Sequence, residues 1–267
     1  PDGRKATEEV APFAYLAGTD SDRRGELNAA IRDPAVEAIF CARGGYGATR
    51  LLALDGGQAL DLPALAARGV PLVGFSDITA LHQAALAAGA VSIHGPVVNQ
   101  LPALSEGDRE GLFALLEGRA WPRLEGLGHL VGGVAEGILK GGNLALLASL
   151  CGTPLAPQFA GAVVLLEDVG EAPYRIDRLL TQLLAADAFR DAVAVVVGEF
   201  LGCDAEQGLP PTRVTALEVM GERLGALQIP IVVGAPVGHG SRNVALPLGM
   251  PVRVDAAQGC VTFHPPS

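Results

Sequence analysis

The sequence predicts an α/β protein built on a parallel sheet, and two observations carry this prediction. In the first half of the 267-residue chain, short apolar runs alternate with stretches of helical periodicity. The runs are apolar throughout rather than at every second residue, as expected for strands buried on both faces. Strands that alternate with helices form a parallel sheet that helices cover on both faces.

The elements of the first half follow this alternation. Strands are predicted over Val36–Cys41, Val70–Phe75 and Val91–Val98. Helices are predicted over Ala48–Leu54, Leu62–Ala67, Ile78–Ala88 and Glu106–Leu116.

The second half has a mixed pattern. Strands are predicted over Val134–Lys140, Ala162–Leu166, Ala192–Val197 and Ile229–Val233, and helices over Leu144–Leu150, Tyr174–Ala186 and Pro211–Leu224. Asn143 is placed to cap the first of these helices. Glycine and proline turns between short alternating runs predict antiparallel strands from Asn243 to His264.

A polar, glycine-rich stretch separates the two halves and contains the single tryptophan, Trp121. Stretches of this composition commonly mark domain boundaries. We predict an N-terminal α/β domain over residues 1–118, a linker over 119–133, and a C-terminal, β-rich domain over 134–267.

Composition excludes several classes of function. The net charge of −10, without a stripe of Lys and Arg, argues against a nucleic-acid partner. No apolar run approaches the roughly 18 residues of a membrane span. The four cysteines form no C-x-x-C pair and no Cys/His cluster, so we expect reduced thiols in a cytosolic protein and no zinc site.

The strongest functional signal lies at residues 74–77, where a buried strand ends in Gly-Phe-Ser-Asp and runs directly into a helix. A serine on such a turn can act as a nucleophile, with an oxyanion stabilised by N–H groups of the helix's first turn. The alternative is that Ser76 only caps the helix. The G-x-S-x-G pattern is incomplete, because Ile78 stands at its last position.

Two further segments follow predicted parallel strands. The glycine-rich turn Arg43–Gly47 is either a structural turn or a source of backbone N–H groups for an anion. His94 follows the third strand and either lines the same edge or makes a structural hydrogen bond. The carboxyl edge of a parallel sheet is where such folds place their ligands.

The second half offers a base and an acid. His239 lies between two glycines just past a buried strand, which favours a general base over a surface-loop histidine. Glu167 ends an apolar strand, where an unpaired carboxylate would be costly. It either orients a histidine or pairs with solvent or an arginine of the next helix, and Asp168 and Glu171 compete for the same role.

Six segments, in order and spread over nearly the whole chain, resemble the L,D-carboxypeptidase family of serine peptidases. These segments are Arg43-Gly44-Gly45-Tyr46-Gly47, Gly74-Phe75-Ser76-Asp77, Ile93-His94-Gly95-Pro96, Gly141-Gly142-Asn143-Leu144, Leu166-Glu167-Asp168 with Pro173-Tyr174-Arg175-Ile176-Asp177-Arg178, and Gly238-His239-Gly240.

The resemblance implies a flavodoxin-like N-terminal sheet, a C-terminal, β-rich α/β domain of the swivelling type, and an active site between them. It implies that Ser76 is the nucleophile, His239 the general base and Glu167 the group that orients the base. The oxyanion hole is expected from the backbone N–H groups of Asp77 and of Gly44 or Gly45. Substrate contacts are expected from Arg175, which could pair with a carboxylate, and from Tyr46 and His94.

The typical activity of the family is release of the terminal D-alanine from murein tetrapeptide during cytoplasmic peptidoglycan recycling. The resemblance further implies a homodimer that acts on muropeptides without metal or cofactor. The alternatives are a peptidase of the microcin C immunity type, which cleaves peptidyl- or aminoacyl-nucleotide antibiotics, and a non-catalytic muropeptide-binding relative. The short stretch from Trp121 to Val134 favours the first activity, because immunity-type peptidases carry a longer insertion there. Members of the family usually begin with a strand and a small-residue loop upstream of anything present here, so the first strand is expected to be missing, and either the sequence is truncated or another segment covers that edge of the sheet.

Overall fold

The computed structural model of the chain describes residues 15–52, 59–204 and 214–264 and confirms the predicted α/β class. The helices are α1 (Asp20–Arg32), α2 (Leu62–Arg68), α3 (Thr79–Ala87), α4 (Glu106–Leu116), α5 (Leu144–Ser149), α6 (Pro173–Ala185) and α7 (Ala216–Gly225). The strands are β1 (Ile39–Phe40), β2 (Leu72–Gly74), β3 (Ser92–His94), β4 (Arg123–Leu124), β5 (Gly128–Val131), β6 (Val134–Asn143), β7 (Ala162–Val169), β8 (Ala194–Leu201), β9 (Ile231–Val233), β10 (Leu246–Leu248), β11 (Pro251–Asp255) and β12 (Cys260–Phe263).

The first sheet has the strand order β1-β2-β3-β10. Its first three strands are parallel, as predicted, although each is shorter than the apolar run that contains it. Leu72 packs in the cluster that α3 joins, whereas Val73 faces Leu112 and Leu115 of α4, so helices cover both faces of the sheet. β10 is antiparallel to β3, with Leu246 opposite His94, and comes from the second half of the chain.

The second sheet has the order β4-β12-β11-β6-β7-β8-β9-β5. β6 to β9 are parallel, and the strands on either side of them are antiparallel. The stretch predicted as a linker contains β4 and β5, which form the two edges of this sheet. Edge strands pair on one side only and tolerate polar residues, which explains why composition alone did not reveal them.

The largest apolar core lies between the second sheet and α5, α6 and α7. Four leucines of α6 are directed into it, with Leu180 and Leu183 fully buried and Leu179 and Leu184 partly buried. Complete burial of one such side chain contributes roughly 1.5–3 kcal/mol. On the opposite face, side chains of β6, β7, β8 and β9 form a second cluster with those of β11 and β12 and with β10 of the first sheet.

One observed helix was not predicted, and two predicted helices differ from those observed. α1 was not predicted, because its sequence is polar; it begins at Thr19, whose side chain accepts a hydrogen bond from the Asp22 N–H at 3.1 Å. The helix predicted over Ala48–Leu54 is a single 3-10 turn over Thr49–Leu52, and its last two residues lie outside the described residues. The start of the predicted Pro211–Leu224 helix also lies outside them, and α7 begins at Ala216 after a Thr215 cap.

Within residues 15–52, 59–204 and 214–264, no helix combines the length and apolar character that crossing a membrane requires.

Candidate active site

The turn after β2 holds Ser76 in an unusual conformation. Phe75 continues the extended backbone, and Ser76 then adopts a φ of 62°. A residue other than glycine in this left-handed region is uncommon and costs about 1–2 kcal/mol. The Ser76 side chain caps neither the 3-10 turn Ser76–Ile78 nor α3, so the capping alternative is wrong. The strained turn instead places the serine at the carboxyl edge of the sheet, as a nucleophile requires.

The glycine-rich loop Arg43–Gly47 packs directly on this turn. A Cβ atom at Gly44 would lie 3.2 Å from Ser76 Cβ and 3.4 Å from Ser76 Oγ, so glycine allows this approach without displacing Ser76. The buried Asp77 carboxylate ties the loop to the turn by accepting a hydrogen bond from the Ala48 N–H at 2.8 Å. Burial raises the pKa of Asp77, although hydrogen bonds from the Ala48 and Gly47 N–H groups act in the opposite direction.

Glu167 and His239 form a hydrogen-bonded pair across the second sheet. Glu167 is near the carboxyl end of β7 and has no solvent exposure, whereas His239 comes from the loop between β9 and β10. His239 Nδ1 lies 2.8 Å from Glu167 Oε2, and its ring packs on Phe75 with the ring centroids 4.7 Å apart. Because a carboxylate accepts hydrogen bonds, the ring proton lies on Nδ1 and is donated to Glu167. The unprotonated Nε2 is then free to take a proton from another group.

Glu167 is held as an anion although it is buried. Burial alone would raise its pKa, but the hydrogen bond with His239 and the nearby His94 outweigh burial and lower the pKa below its usual value. His94 Nε2 lies 3.7 Å from Glu167 Oε1, and neither side chain is exposed. The carboxylate is therefore charged at neutral pH and faces two imidazole rings.

Asp168, an alternative for the same role, faces away from His239. Its carboxylate accepts hydrogen bonds at 2.9 Å from the Asn143 side chain and from the Ala145 N–H. Burial raises the pKa of Asp168 to about 6, against these hydrogen bonds. Asn143 also caps α5 as predicted, by accepting a hydrogen bond from the Leu146 N–H at 3.1 Å. Asp168 therefore anchors the start of α5.

Ser76 and His239 line one cleft of about 360 Å³ together with both predicted oxyanion glycines. The remaining lining residues are Arg43, Phe75, Val97, Asn99 and Gln100. The structure contains no hydrogen bond between Ser76 and His239, and such catalytic contacts commonly tighten only around a bound substrate. Sequence reasoning gave no role to Asn99 and Gln100, although their position just after the His-Gly-Pro turn at the sheet edge was an available signal.

The predicted substrate contacts do not line this cleft. Arg175 is exposed and lies 3.6 Å from Glu171, the remaining alternative acid. Tyr46 is exposed and packs edge-on against Tyr15 with ring centroids 5.9 Å apart. His94 is fully buried behind Glu167.

The loop that carries His239 is braced on both sides. The Gly238 N–H donates to Asn243 Oδ1 at 3.1 Å, and Arg242 pairs with the buried Asp108 of α4 at 2.7 Å. Gly238 has a φ of 124°, and a Cβ atom there would lie 2.9 Å from Glu167 Oε2. Glycine thus allows the loop to approach the carboxylate closely.

The arrangement is suited to acyl transfer. A serine hydroxyl, an imidazole oriented by a buried carboxylate and neighbouring backbone N–H groups can attack an amide carbonyl, move its proton and stabilise the oxyanion. Among the described residues, no cluster of three or more His, Cys, Asp or Glu side chains is arranged to hold a metal ion.

The chain is similar to known carboxypeptidases and to a self-immunity protein. The chain is 37% identical over 254 residues to the murein tetrapeptide carboxypeptidase of Pseudomonas aeruginosa, covering 90% of this chain and 79% of the relative. It is 25% identical over 277 residues to the microcin C7 self-immunity protein MccF of Escherichia coli, covering 90% and 77%. The crystal structure of muramoyltetrapeptide carboxypeptidase from Oxalobacter formigenes superposes with a TM-score of 0.81 at 30% identity, over 97% of this chain and 89% of that one.

Two family models match in chain order. The model of the LD-carboxypeptidase N-terminal domain matches residues 3–95, and that of the LD-carboxypeptidase C-terminal domain matches residues 136–254. Ser76 lies within the first match, and Glu167 and His239 lie within the second. The chain therefore belongs to the LD-carboxypeptidase family.

Proposed function

We propose that this protein is a serine carboxypeptidase that hydrolyses the L,D-amide bond of murein tetrapeptide and releases the terminal D-alanine. The observation that carries the proposal is the hydrogen bond between His239 Nδ1 and the buried, anionic Glu167. The His239 ring lines the same cleft as Ser76. The likeness to murein tetrapeptide carboxypeptidases supports the choice of substrate. The proposed setting is peptidoglycan recycling in the cytoplasm, with the protein acting as a homodimer.

In the proposed reaction, Ser76 Oγ attacks the carbonyl carbon of the amide while His239 Nε2 accepts the hydroxyl proton. The oxyanion accepts hydrogen bonds from the Asp77 N–H and from the N–H of Gly44 or Gly45. Collapse of the tetrahedral intermediate breaks the C–N bond, and His239 gives its proton to the leaving amine of D-alanine. Water then attacks the acyl carbonyl carbon while His239 Nε2 accepts its proton. Collapse of this second intermediate breaks the bond between the acyl carbon and Ser76 Oγ, His239 returns the proton to Oγ, and the tripeptide leaves with a new carboxylate.

Incubation with murein tetrapeptide, followed by mass spectrometry, tests the substrate. The expected product is the tripeptide plus one D-alanine, and it should not form with the Ser76→Ala variant. A tetrapeptide that ends in L-alanine is the matched control and should remain intact. The likeness to MccF makes an aminoacyl sulfamoyl adenosine the competing substrate. If this compound is cleaved while the tetrapeptide remains intact, the proposed activity is replaced by that of the immunity type. If neither compound reacts, the result favours a muropeptide-binding protein.

Arg43 is the arginine that lines the cleft with Ser76, and it is a better candidate than Arg175 for the terminal carboxylate of the substrate. We expect Arg43→Ala to raise KM for the tetrapeptide about tenfold or more, because a charge-assisted hydrogen bond is lost. The same variant should cleave a C-terminally amidated tetrapeptide as the wild type does. Arg175→Ala is the matched control and should leave both KM values unchanged. An equal effect of Arg43→Ala on the acid and the amide would show that Arg43 only shapes the loop.

A further inference from the structure

Behind the cleft, three buried polar atoms lie together without a hydrogen-bond partner. They are Glu167 Oε1 and both ring nitrogens of His94. The two side chains have no solvent exposure, and His94 Nε2 lies 3.7 Å from Glu167 Oε1. Buried polar atoms in folded proteins are nearly always paired, and an unpaired oxygen on a buried anion is especially costly. An unpaired acceptor, Glu167 Oε1, therefore lies beside an unpaired ring nitrogen, His94 Nε2. A small movement of either side chain would bring the two atoms within hydrogen-bond distance.

His94 is the donor that the structure places beside this oxygen, with Nε2 3.7 Å away. His239 occupies the other carboxylate oxygen, and the neighbouring Asp168 is itself an acceptor whose hydrogen bonds come from α5 and its cap. His82, whose ring lies 6.3 Å from that of His94, places Nε2 2.8 Å from the Gly74 carbonyl and so donates there. Phe75, whose ring lies edge-on to that of His94 with the centroids 6.0 Å apart, is apolar.

We propose that His94 is a positioning residue, whose Nε2–H donates to Glu167 Oε1 and holds the carboxylate anionic and directed at His239. The ring is then in the tautomer with Nδ1 unprotonated. His94 touches no substrate and exchanges no proton; it acts through Glu167. Without this donor, the carboxylate would rotate or take up a proton, and a neutral Glu167 would no longer stabilise the imidazolium that forms on His239. This inference rests on the triad of the proposed function.

The test compares side chains that keep or lose a donor at the position of Nε2. His94→Gln places an amide N–H there, whereas His94→Leu keeps the volume and removes the donor. His94→Asn is also polar but places its amide nearer the backbone, so it reports on reach if the leucine variant does not fold. Ser92→Ala is the matched control, since Ser92 is equally buried and lies on the same face of β3.

The readouts are kcat and KM for the tetrapeptide and the second-order rate at which a fluorophosphonate probe labels Ser76. We expect His94→Leu and His94→Asn to lower kcat and the labelling rate by about 10- to 100-fold with little change in KM, as for loss of a hydrogen bond to a buried charge. His94→Gln should retain most of both rates, and Ser92→Ala should match the wild type. Wild-type rates in the leucine and asparagine variants, or equal losses in the glutamine variant, would overturn the inference.

The labelling rate separates this inference from the proposed substrate. If the wild type is labelled but leaves the tetrapeptide intact, the substrate is wrong, and the labelling rates of the variants still decide the role of His94. If the wild type is not labelled at Ser76, both the triad and the role of His94 are overturned.

Discussion

Glycine in place of Ser76 is expected to end hydrolysis and at the same time to stabilise the fold. The substitution removes the nucleophile, so kcat should fall by roughly 10⁴-fold or more. Ser76 has a φ of 62°, a conformation that glycine adopts without strain. Relief of that strain should raise the free energy of unfolding by about 1 kcal/mol. Assay of tetrapeptide hydrolysis and urea denaturation of the same samples measure both effects.

Ser76→Ala is the control that separates the two effects. It removes the hydroxyl but keeps a Cβ atom in the left-handed region, so activity should be lost without the gain in stability. Residual hydrolysis at more than a few per cent of wild type in both variants would exclude Ser76 as the nucleophile. Equal stability of the glycine and alanine variants would show that the turn stores no strain at this position.

Alanine in place of Gly141 is expected to produce a large loss of stability. Gly141 lies in β6 opposite Leu165 of β7 and has a φ of 119°, and a Cβ atom there would lie 2.1 Å from the Leu165 carbonyl oxygen. The neighbouring group is backbone inside the sheet and cannot turn aside as a side chain would. Strain and overpacking together should cost about 3–5 kcal/mol. For a chain of this size, Tm should fall by roughly 10 °C.

Gly132→Ala is the matched control for this substitution. Gly132 lies between β5 and β6, and a Cβ atom there would meet no atom within 4 Å. Its substitution should change the free energy of unfolding by no more than about 0.5 kcal/mol. If Gly141→Ala denatured at the same urea concentration as this control, the pairing of β6 with β7 at this register would be wrong.

Local sequence patterns were enough to predict the helices and strands whose own residues show the periodicity of that element. α4 was predicted with its observed bounds, because its apolar residues recur at helical spacing. α1 has no comparable apolar stripe, and its helical signal lies in the Thr19 cap and the acidic first turn. The pairing of β10 with β3 was not predicted, since periodicity reports which face of a strand is buried and not which distant strand adjoins it.

In the candidate site, too, local features were predicted from the sequence, whereas contacts between distant segments were not. The position of Ser76 at a strand end was evident from its neighbours, and the likeness to a known family linked it with Glu167 and His239. Glu167 and Asp168 are adjacent on one strand, so their side chains must point to opposite faces. Only the folded chain shows which of them meets His239. Likewise, the sequence left His94 between a substrate contact and a structural role, and its burial behind Glu167 excludes direct contact with the cleft.

The position of β10 has a consequence for synthesis of the protein. On the ribosome, β1, β2, β3 and the Ser76 turn emerge early, but β3 keeps an open edge until Leu246–Leu248 follow much later. An unpaired edge is a template for aggregation, and sheets closed by distant segments form slowly. The base on His239 emerges only shortly before that closing strand. A nascent chain therefore exposes its nucleophile for most of translation without the means to activate it, and closure of the sheet and completion of the active site are nearly simultaneous.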